Sequence, residues 1–236
     1  MRDNITDWAL EQYQTAYQDK SITKEDIFYY TYGVLHHRDF RKKYSVFLVR
    51  GIPNIPMAPD FRAFETAGRK LAELHLNFDT GPRRDLGKPL EPIPDAPHKI
   101  NFGKKSNPKS HGPKTVDDLS TIFLDGIKVY DSLPQCKYKV NGRTPIQWFA
   151  DRYKFTTHKE SGITNYPLEH ASGDDTRAIM ERLVYVGIES DRIILGLPNE
   201  FEGMEPPESV NKEEETLQAL GQQTLDVGGK VQTRLS

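Results

Sequence analysis

The segment 138–155 contains the side chains best suited to contact a ligand. Arg143 and Gln147 carry several hydrogen-bond donors and acceptors, and they directly follow the turn signal Asn141-Gly142. A planar guanidinium exploits a rigid backbone, because two parallel hydrogen bonds require a fixed geometry. The segment therefore suggests a rigid platform that presents Arg143 and Gln147 to a ligand. The alternative is a core unit with a solvated Arg143, and the motif alone leaves both interpretations open.

The residues on either side of this turn predict the elements that would hold it. Tyr138 and Val140 alternate with a lysine, which is the period of a half-buried strand. Thr144 is suited to cap a helix, and Pro145 suits its first position, where no backbone N–H is needed. Apolar residues then follow at helical spacing: Ile146, Trp148, Phe149 and Tyr153. The sequence thus predicts a strand, a tight polar turn and a short aromatic helix.

Two polar stretches offer further cationic contacts. Residues 103–114 contain four lysines and no acid, which predicts a flexible basic loop. These lysines are Lys104, Lys105, Lys109 and Lys114. Lys159 lies in a second polar loop, over 156–167. A flexible basic loop can follow an anionic backbone but cannot fix a precise geometry.

The surrounding periodicity predicts short strands. Residues 99–102 read as one strand, and the turn dipeptide Asp125-Gly126 between 121–124 and 127–130 predicts a β-hairpin. The last helix is predicted to begin near Asp174 and to end near residue 198.

No group of residues has the spacing of a catalytic or metal site. His36 and His37 are adjacent, and neighbours in a helix point about 100° apart, so they are interpreted as helix-end residues rather than metal ligands. Two acid pairs are interpreted as loop and helix-start residues: Asp117-Asp118 and Asp174-Asp175. The phosphate-cradling, dinucleotide-binding and nucleophile-elbow motifs are absent from the sequence. The pattern favours binding over catalysis.

Helical periodicity dominates the first 78 residues. Residues 4–19 predict one helix, and Thr23 is suited to cap a second that is apolar on nearly every side. Such a helix is usually buried between neighbours, and Gly33 is predicted to let another element approach closely. Asp60 is predicted to cap a later amphipathic helix.

A third helix is predicted over 38–48, with a basic face of Arg38, Arg41 and Lys42. This face is either simply solvated or lies along a phosphate backbone. The prolines of 52–59 predict an extended connector after it.

The fold class predicted from these elements is α+β, with an N-terminal helical spacer and a mixed module that contains a small, largely antiparallel sheet. The predicted divisions are a spacer over 1–78, a proline-rich linker over 79–97 and a module over 98–199. Residues 200–236 have no apolar period and are predicted to be a disordered tail.

Charge is distributed unevenly along the chain. The formal net charge is −2, but residues 200–236 carry 8 acids and 3 bases. The first 199 residues are therefore mildly basic, with a net charge of +3, so the overall pI is a poor guide to partners. No run of about 18 apolar residues exists, and Cys136 is the single cysteine. These features predict a protein of the reducing cytoplasm that does not enter a membrane.

Several runs resemble, in the same order, one family: the segment beyond the methyltransferase of type ISP restriction–modification enzymes. They are Asp26-Ile27-Phe28-Tyr29-Tyr30 with the residues up to His36, Ile52-Pro53-Asn54-Ile55-Pro56 with 67–77, and Val140-Asn141-Gly142-Arg143 through Trp148 with 151–153 and 161–163. The family joins a nuclease, a helicase-like motor, an adenine-N6 methyltransferase and a target-recognition domain. The resemblance covers roughly residues 4–198 and is to the C-terminal end alone.

The resemblance implies sequence-specific recognition of double-stranded DNA and packing of the spacer on a methyltransferase domain. It implies no catalysis here, because the methyltransferase motif Asn-Pro-Pro-Tyr and the motor and nuclease motifs are absent. No cofactor is expected in this segment, whereas the whole enzyme would use S-adenosylmethionine, ATP and Mg²⁺.

On this interpretation the candidate DNA contacts come from the groups above. Arg143 is expected at a base edge, with Asn141 and Gln147 as further candidates. Phosphate contacts are expected from Lys104, Lys105, Lys109 and Lys114, and Lys159 is a further candidate for DNA contact. In the major groove Arg pairs with guanine through two hydrogen bonds, and Asn or Gln pairs with adenine. The alternative function is a structural interaction domain that joins methyltransferase and motor without touching DNA.

Overall fold

The computed structural model describes residues 4–44, 48, 55–109 and 112–199, and this part of the chain forms the expected α+β fold. Its helices are α1 (Asp7–Ala16), α2 (Lys24–His36), α3 (Arg38–Lys43), α4 (Phe61–Leu76), α5 (Pro145–Tyr153) and α6 (Gly173–Leu195). Its strands are β1 (Ile100–Ser106), β2 (Thr115–Leu124), β3 (Ile127–Tyr130), β4 (Thr156–Thr157) and β5 (Thr164–Asn165). The antiparallel sheet β1-β2-β3 and the hairpin β4-β5 confirm the predicted small antiparallel sheet.

Helices α2 and α4 cross in close contact, and two glycines permit it. A Cβ on Gly33 would lie 2.3 Å from the backbone oxygen of Phe64, and one on Gly68 would lie 1.8 Å from that of Tyr29. Arg69 of α4 reinforces the crossing by an ion pair to Asp26 of α2, at 2.6 Å. The close approach predicted for Gly33 is therefore confirmed, and its partner is α4.

An aromatic core lies among the first four helices. Tyr30 is fully buried and stacks on Phe61, with ring centroids 4.8 Å apart. Its hydroxyl donates to the carbonyl of Pro56 and accepts from the N–H of Ala58, both at 2.6 Å. The end of the connector before α4 is thereby held on the core. Leu197, just beyond α6, is buried in the same cluster.

The second core lies between the sheet and helices α5 and α6. It is formed by buried apolar side chains of these elements, including Ile122, Leu124, Phe149, Met180 and Leu183. The turn at Asp125-Gly126 has positive φ at both residues (49° and 86°), as the hairpin prediction requires.

The predicted basic loop over 103–114 is wrong in its first part. Strand β1 continues to Ser106, so Lys104 and Lys105 belong to a strand. Asp117 and Asp118, predicted as loop residues, belong to β2, where Asp117 lies opposite Lys104 and Asp118 lies diagonally to Lys105. The physical reason is that opposite charges facing each other across strands stabilise a polar hairpin.

Two smaller expectations also differ from the structure. Tyr138 to Val140 forms no strand, and only an isolated bridge joins Val140 to Arg143. The polar loop predicted over 156–167 contains the short hairpin β4-β5.

Residues 79–97 contain no helix or strand but lie against the sheet and α6. The N–H of Arg84 donates to the carbonyl of Glu181 (3.1 Å), and that of Leu90 donates to Val129 (2.9 Å). Leu86 packs against the second core. The division of the chain at this segment stays a prediction.

Part of the sequence interpretation lies outside the described residues. This applies to the predicted tail over 200–236, to much of the C-terminal part of the predicted helix 38–48, and to residues 52–54 of the connector. Within the described part of the chain, no helix is both long and apolar enough to cross a membrane.

Candidate nucleic-acid interface

Arg143 is held by a tight, well-bonded turn. Asn141 and Gly142 both have positive φ (49° and 77°), as two-residue hairpin turns require. Val140 N–H donates to the carbonyl of Arg143 (2.8 Å), and Arg143 N–H donates back to that of Val140 (3.0 Å). Helix α5 begins directly after the turn, at Pro145. The backbone of Arg143 is therefore fixed on both sides.

The side chain of Arg143 is half-exposed and oriented by an acid. Its Nε lies 3.3 Å from Oδ2 of Asp151, in the last turn of α5. Among the described residues, no acceptor is recorded for its two terminal nitrogens. Asp151 therefore leaves free the pair of terminal nitrogens that a contact through two hydrogen bonds uses.

Gln147 has a structural role that the sequence interpretation missed. Its Oε1 accepts hydrogen bonds from the N–H (3.1 Å) and hydroxyl (3.3 Å) of Thr144, while its own N–H donates to that hydroxyl (3.4 Å). This reciprocal capping box stabilises the start of α5. A contact between Gln147 Oε1 and a base would therefore compete with the cap. Asn141, on the turn itself, is exposed.

The lysines of the β1-β2 hairpin fall into two classes. Lys104 is ion-paired with Asp117 of the neighbouring strand, and Lys105 lies 3.2 Å from Asp118. Lys109 and Lys114, near the tip of the hairpin, are exposed, with no described acid within 4 Å. Lys159 is likewise exposed, on the turn between β4 and β5. No hydrogen bond or ion pair of the described residues joins Lys159 to the other candidate contacts.

An aromatic cavity of about 370 Å³ lies beside Arg143. It opens where α2, α4, α5 and α6 meet the 138–145 segment. Its lining is mostly apolar: Tyr32, His36, His75, Phe78, Tyr138, Val140, Arg143, Pro145, Trp148, Leu183 and Val186. Tyr138 is buried here, stacked on His75 with ring centroids 5.1 Å apart. This stacking accounts for the burial of Tyr138 without a strand.

His75 joins three elements at this cavity. Its Nδ1 lies 2.8 Å from the hydroxyl of Tyr32 on α2, and its Nε2 lies 2.9 Å from that of Ser190 on α6. Burial, with a smaller effect of the neighbouring His36, lowers the pKa of His75 to about 4. Burial also lowers the pKa of His36, whose Nδ1 lies 2.8 Å from the carbonyl of Tyr32. Both rings are therefore neutral at pH 7 and serve packing.

A second, cationic depression of about 220 Å³ adjoins this cavity. Lys137 and Lys139 line it, and sequence reasoning passed over both. The alternation of residues 137–139 could have indicated them: in an extended segment with Tyr138 pointing into the protein, the lysines on either side of it point to solvent. Arg41, noted only as part of a basic helix face, also lines this depression.

Residues 1–182 match the model of the Type ISP C-terminal specificity domain. The chain belongs to this family. Comparison with curated protein sequences gives no match.

Solved structures that resemble this chain include the following three. A nuclease-deletion mutant of the Type ISP restriction-modification enzyme LlaGI, in complex with a DNA substrate mimic, is 31% identical over 75% of the chain, with a TM-score of 0.60. The DrdV–DNA complex is 30% identical over 84%, with a TM-score of 0.66. The ATP-dependent Type ISP enzyme LlaBIII bound to DNA is 25% identical over 79%, with a TM-score of 0.61. The chain spans 14%, 20% and 12% of those chains respectively.

Proposed function

We propose that this specificity domain recognises double-stranded DNA in a sequence-specific manner. The observation that carries the proposal is the rigid presentation of Arg143, on a turn closed by two backbone hydrogen bonds and followed directly by a capped helix. Family membership and the DNA complexes of the similar structures support it.

Arg143 is proposed to contact a base edge. An arginine discriminates guanine in the major groove when two of its nitrogens reach O6 and N7 together. Asp151 lies at Nε, so the two terminal nitrogens are left for such a contact, and the planar fork of arginine loses little conformational entropy per hydrogen bond. Asn141 shares the turn and is proposed to contact an adjacent base. Gln147 is proposed to contribute only if its capping hydrogen bonds open.

The exposed lysines are proposed to contact phosphates, which position a protein on the duplex without reading its sequence. Lys109, Lys114 and Lys159 are immediately available for this role. Lys104 and Lys105 would first have to leave Asp117 and Asp118.

The proposal includes the context of a longer enzyme. In that enzyme the N-terminal helices would pack on a methyltransferase domain, and the specificity domain itself would catalyse no reaction. S-adenosylmethionine, ATP and Mg²⁺ would serve the other domains of such a cytoplasmic enzyme.

Selection from a randomised duplex pool tests this function. The 236-residue chain is incubated with the pool, and bound duplexes are recovered and sequenced over several rounds. We expect one recurring motif, bound more tightly than a scrambled duplex of equal composition. Binding without any enriched motif would contradict sequence specificity, and no binding at low salt would contradict DNA recognition.

The second candidate function, a domain that joins methyltransferase and motor without touching DNA, is favoured by one observation. Trp8 on α1 and Phe28 on α2 are 69% and 53% exposed, and exposed large apolar side chains mark a protein–protein contact where they form a patch. Absence of DNA binding in the pool experiment would favour this function.

A further inference from the structure

The cationic depression beside the aromatic cavity brings together parts of the chain that are distant in sequence. It lies between α3, the segment 137–139 and α6. Its lining consists of His36, Arg38, Arg41, Lys137, Tyr138, Lys139, Asp191 and Ile194. Four of these residues are cations and one is an acid, so the depression has a net charge of +3 when His36 is neutral.

The single acid of the depression is already occupied. Asp191, with a side chain only 16% exposed, accepts a hydrogen bond from Arg38 at 3.1 Å. Its other oxygen accepts one from the backbone N–H of Lys137. Asp191 therefore ties α3 and the 137–139 segment to α6, and it does so without engaging the lysine side chain.

The three remaining cations are free to meet an anion. Arg41, Lys137 and Lys139 are exposed, and no acid of the described residues lies within 4 Å of their charged groups. This distinguishes them from Lys104 and Lys105, which are ion-paired. Lysine and arginine side chains offer donors and no acceptors, so together they select an anionic partner.

The backbone between Lys137 and Lys139 is held in place by the buried side chain of Tyr138. Tyr138, between the two lysines, is buried and stacks on His36, with ring centroids 6.1 Å apart. His36 and Tyr138 line both the depression and the cavity that Arg143 borders. The three cations and Arg143 therefore border two depressions that share His36 and Tyr138 in their lining.

We propose that Arg41, Lys137 and Lys139 form a phosphate-binding cleft for the backbone of duplex DNA, which sets the register of Arg143 on the bases. This inference rests on the proposed function and adds to it a contact surface to which both the N-terminal helices and the module contribute. Duplex DNA carries one charge per about 1.7 Å of its axis, so a cluster of three free cations can meet adjacent phosphates. Contacts of this kind fix orientation and carry no sequence information.

The salt dependence of DNA binding tests the cleft. The variant R41Q/K137Q/K139Q removes its three free charges, and the matched control K20Q/K70Q/K88Q removes three exposed lysines that line neither depression. Association constants for an unrelated-sequence duplex are measured between 50 and 200 mM salt. Each lost phosphate contact lowers the slope of log K against log[salt] by about 0.9. We therefore expect the slope to fall by about 2–3 in the cleft variant and by less than about 1 in the control.

The outcomes separate this inference from the proposed function. If the wild-type chain enriches a DNA motif but the cleft variant keeps the full slope, the cleft is wrong and DNA recognition stands. If cleft variant and control lose the same slope, the effect is one of overall charge and the cleft is again wrong. If the wild-type chain binds no DNA, both fail. Should the triple variant not fold, K137Q/K139Q replaces it, with an expected fall of about 2.

Discussion

At the residue scale, some charged side chains are engaged in ion pairs within the chain and others have donors that are free to bind a ligand. Arg143 keeps two donor nitrogens free, whereas Lys104 and Lys105 are paired across the sheet. Sequence predicts which residues are cationic, but it does not predict these pairings, because Lys104 and Asp117 are 13 positions apart and meet only when the hairpin forms. Exposed ion pairs contribute only about 0–1 kcal/mol to stability. Their effect here is that Lys104 and Lys105 are less available than the unpaired lysines to contact DNA.

The lysines of the hairpin should therefore contribute unequally to DNA binding. We expect K109A/K114A to lower the salt slope by about 2, since both side chains are free. The double variant K104A/D117A removes an ion pair without changing the net charge, and it should leave the slope almost unchanged. Fluorescence anisotropy with one labelled duplex at several salt concentrations measures both. A larger effect of K104A/D117A would show that Lys104 leaves Asp117 to bind phosphate.

His75 should make stability depend on pH. Its pKa is lowered to about 4 in the folded chain, from an ordinary value near 6.5. Between these values the unfolded chain binds a proton that folded His75 does not, so the free energy of unfolding falls as pH falls through this window. A fall of the pKa from 6.5 to about 4 corresponds to a loss of roughly 3 kcal/mol over the whole window, of which about 2 kcal/mol falls between pH 7 and pH 5.

Denaturant unfolding at pH 7 and pH 5 measures this dependence, above the range in which the carboxylates titrate. The variant His75→Phe should be less stable at pH 7 but lose less stability on acidification than the wild type. The exposed His170→Gln serves as control and should behave as the wild type. Equal pH dependence in all three proteins would mean that His75 is not the titrating group.

At the element scale, the helix starts and the tight turns could be predicted from the sequence, because their signals are local. Thr23 and Thr144 cap helices as expected, and Asp125-Gly126 forms the expected turn. The extent of β1 could not be predicted, because the strand depends on partners in β2. The alternation around Tyr138 predicts a strand, yet Tyr138 is buried by stacking on His75 of α4. Of the candidate site, the Arg143 turn was predictable and the Arg41–Lys137–Lys139 cleft was not.

The crossing of α2 and α4 should tolerate no side chain at Gly68. A methyl group there would lie 1.8 Å from the Tyr29 oxygen and 2.9 Å from the Gly33 nitrogen, so the two helices would have to move apart. We expect Gly68→Ala to destabilise the fold by about 3 kcal/mol, the upper part of the range for overpacking. Thermal or denaturant unfolding measures it, with Lys70→Ala on the exposed face of α4 as control. A stability change below about 0.5 kcal/mol for Gly68→Ala would contradict this account of the crossing.

At the scale of the whole molecule, the N-terminal helices and the module are connected at several points. His75 of α4 contacts Ser190 of α6, and Asp191 holds Arg38 of α3. Leu197 is buried in the aromatic core of the N-terminal helices. These connections place the Arg41 cleft and the Arg143 turn at one junction, and in the proposed function both contact the same duplex.

The most direct test of the account is the binding of Arg143→Ala to the selected duplex and to its scrambled counterpart. A base contact is lost only where the base is present, so we predict a loss of about 1–3 kcal/mol on the selected duplex and little change on the scrambled one. R41Q/K137Q/K139Q should instead weaken both duplexes alike, because phosphates are common to them. An equal loss on the two duplexes for Arg143→Ala would make Arg143 a phosphate contact and would contradict the central claim.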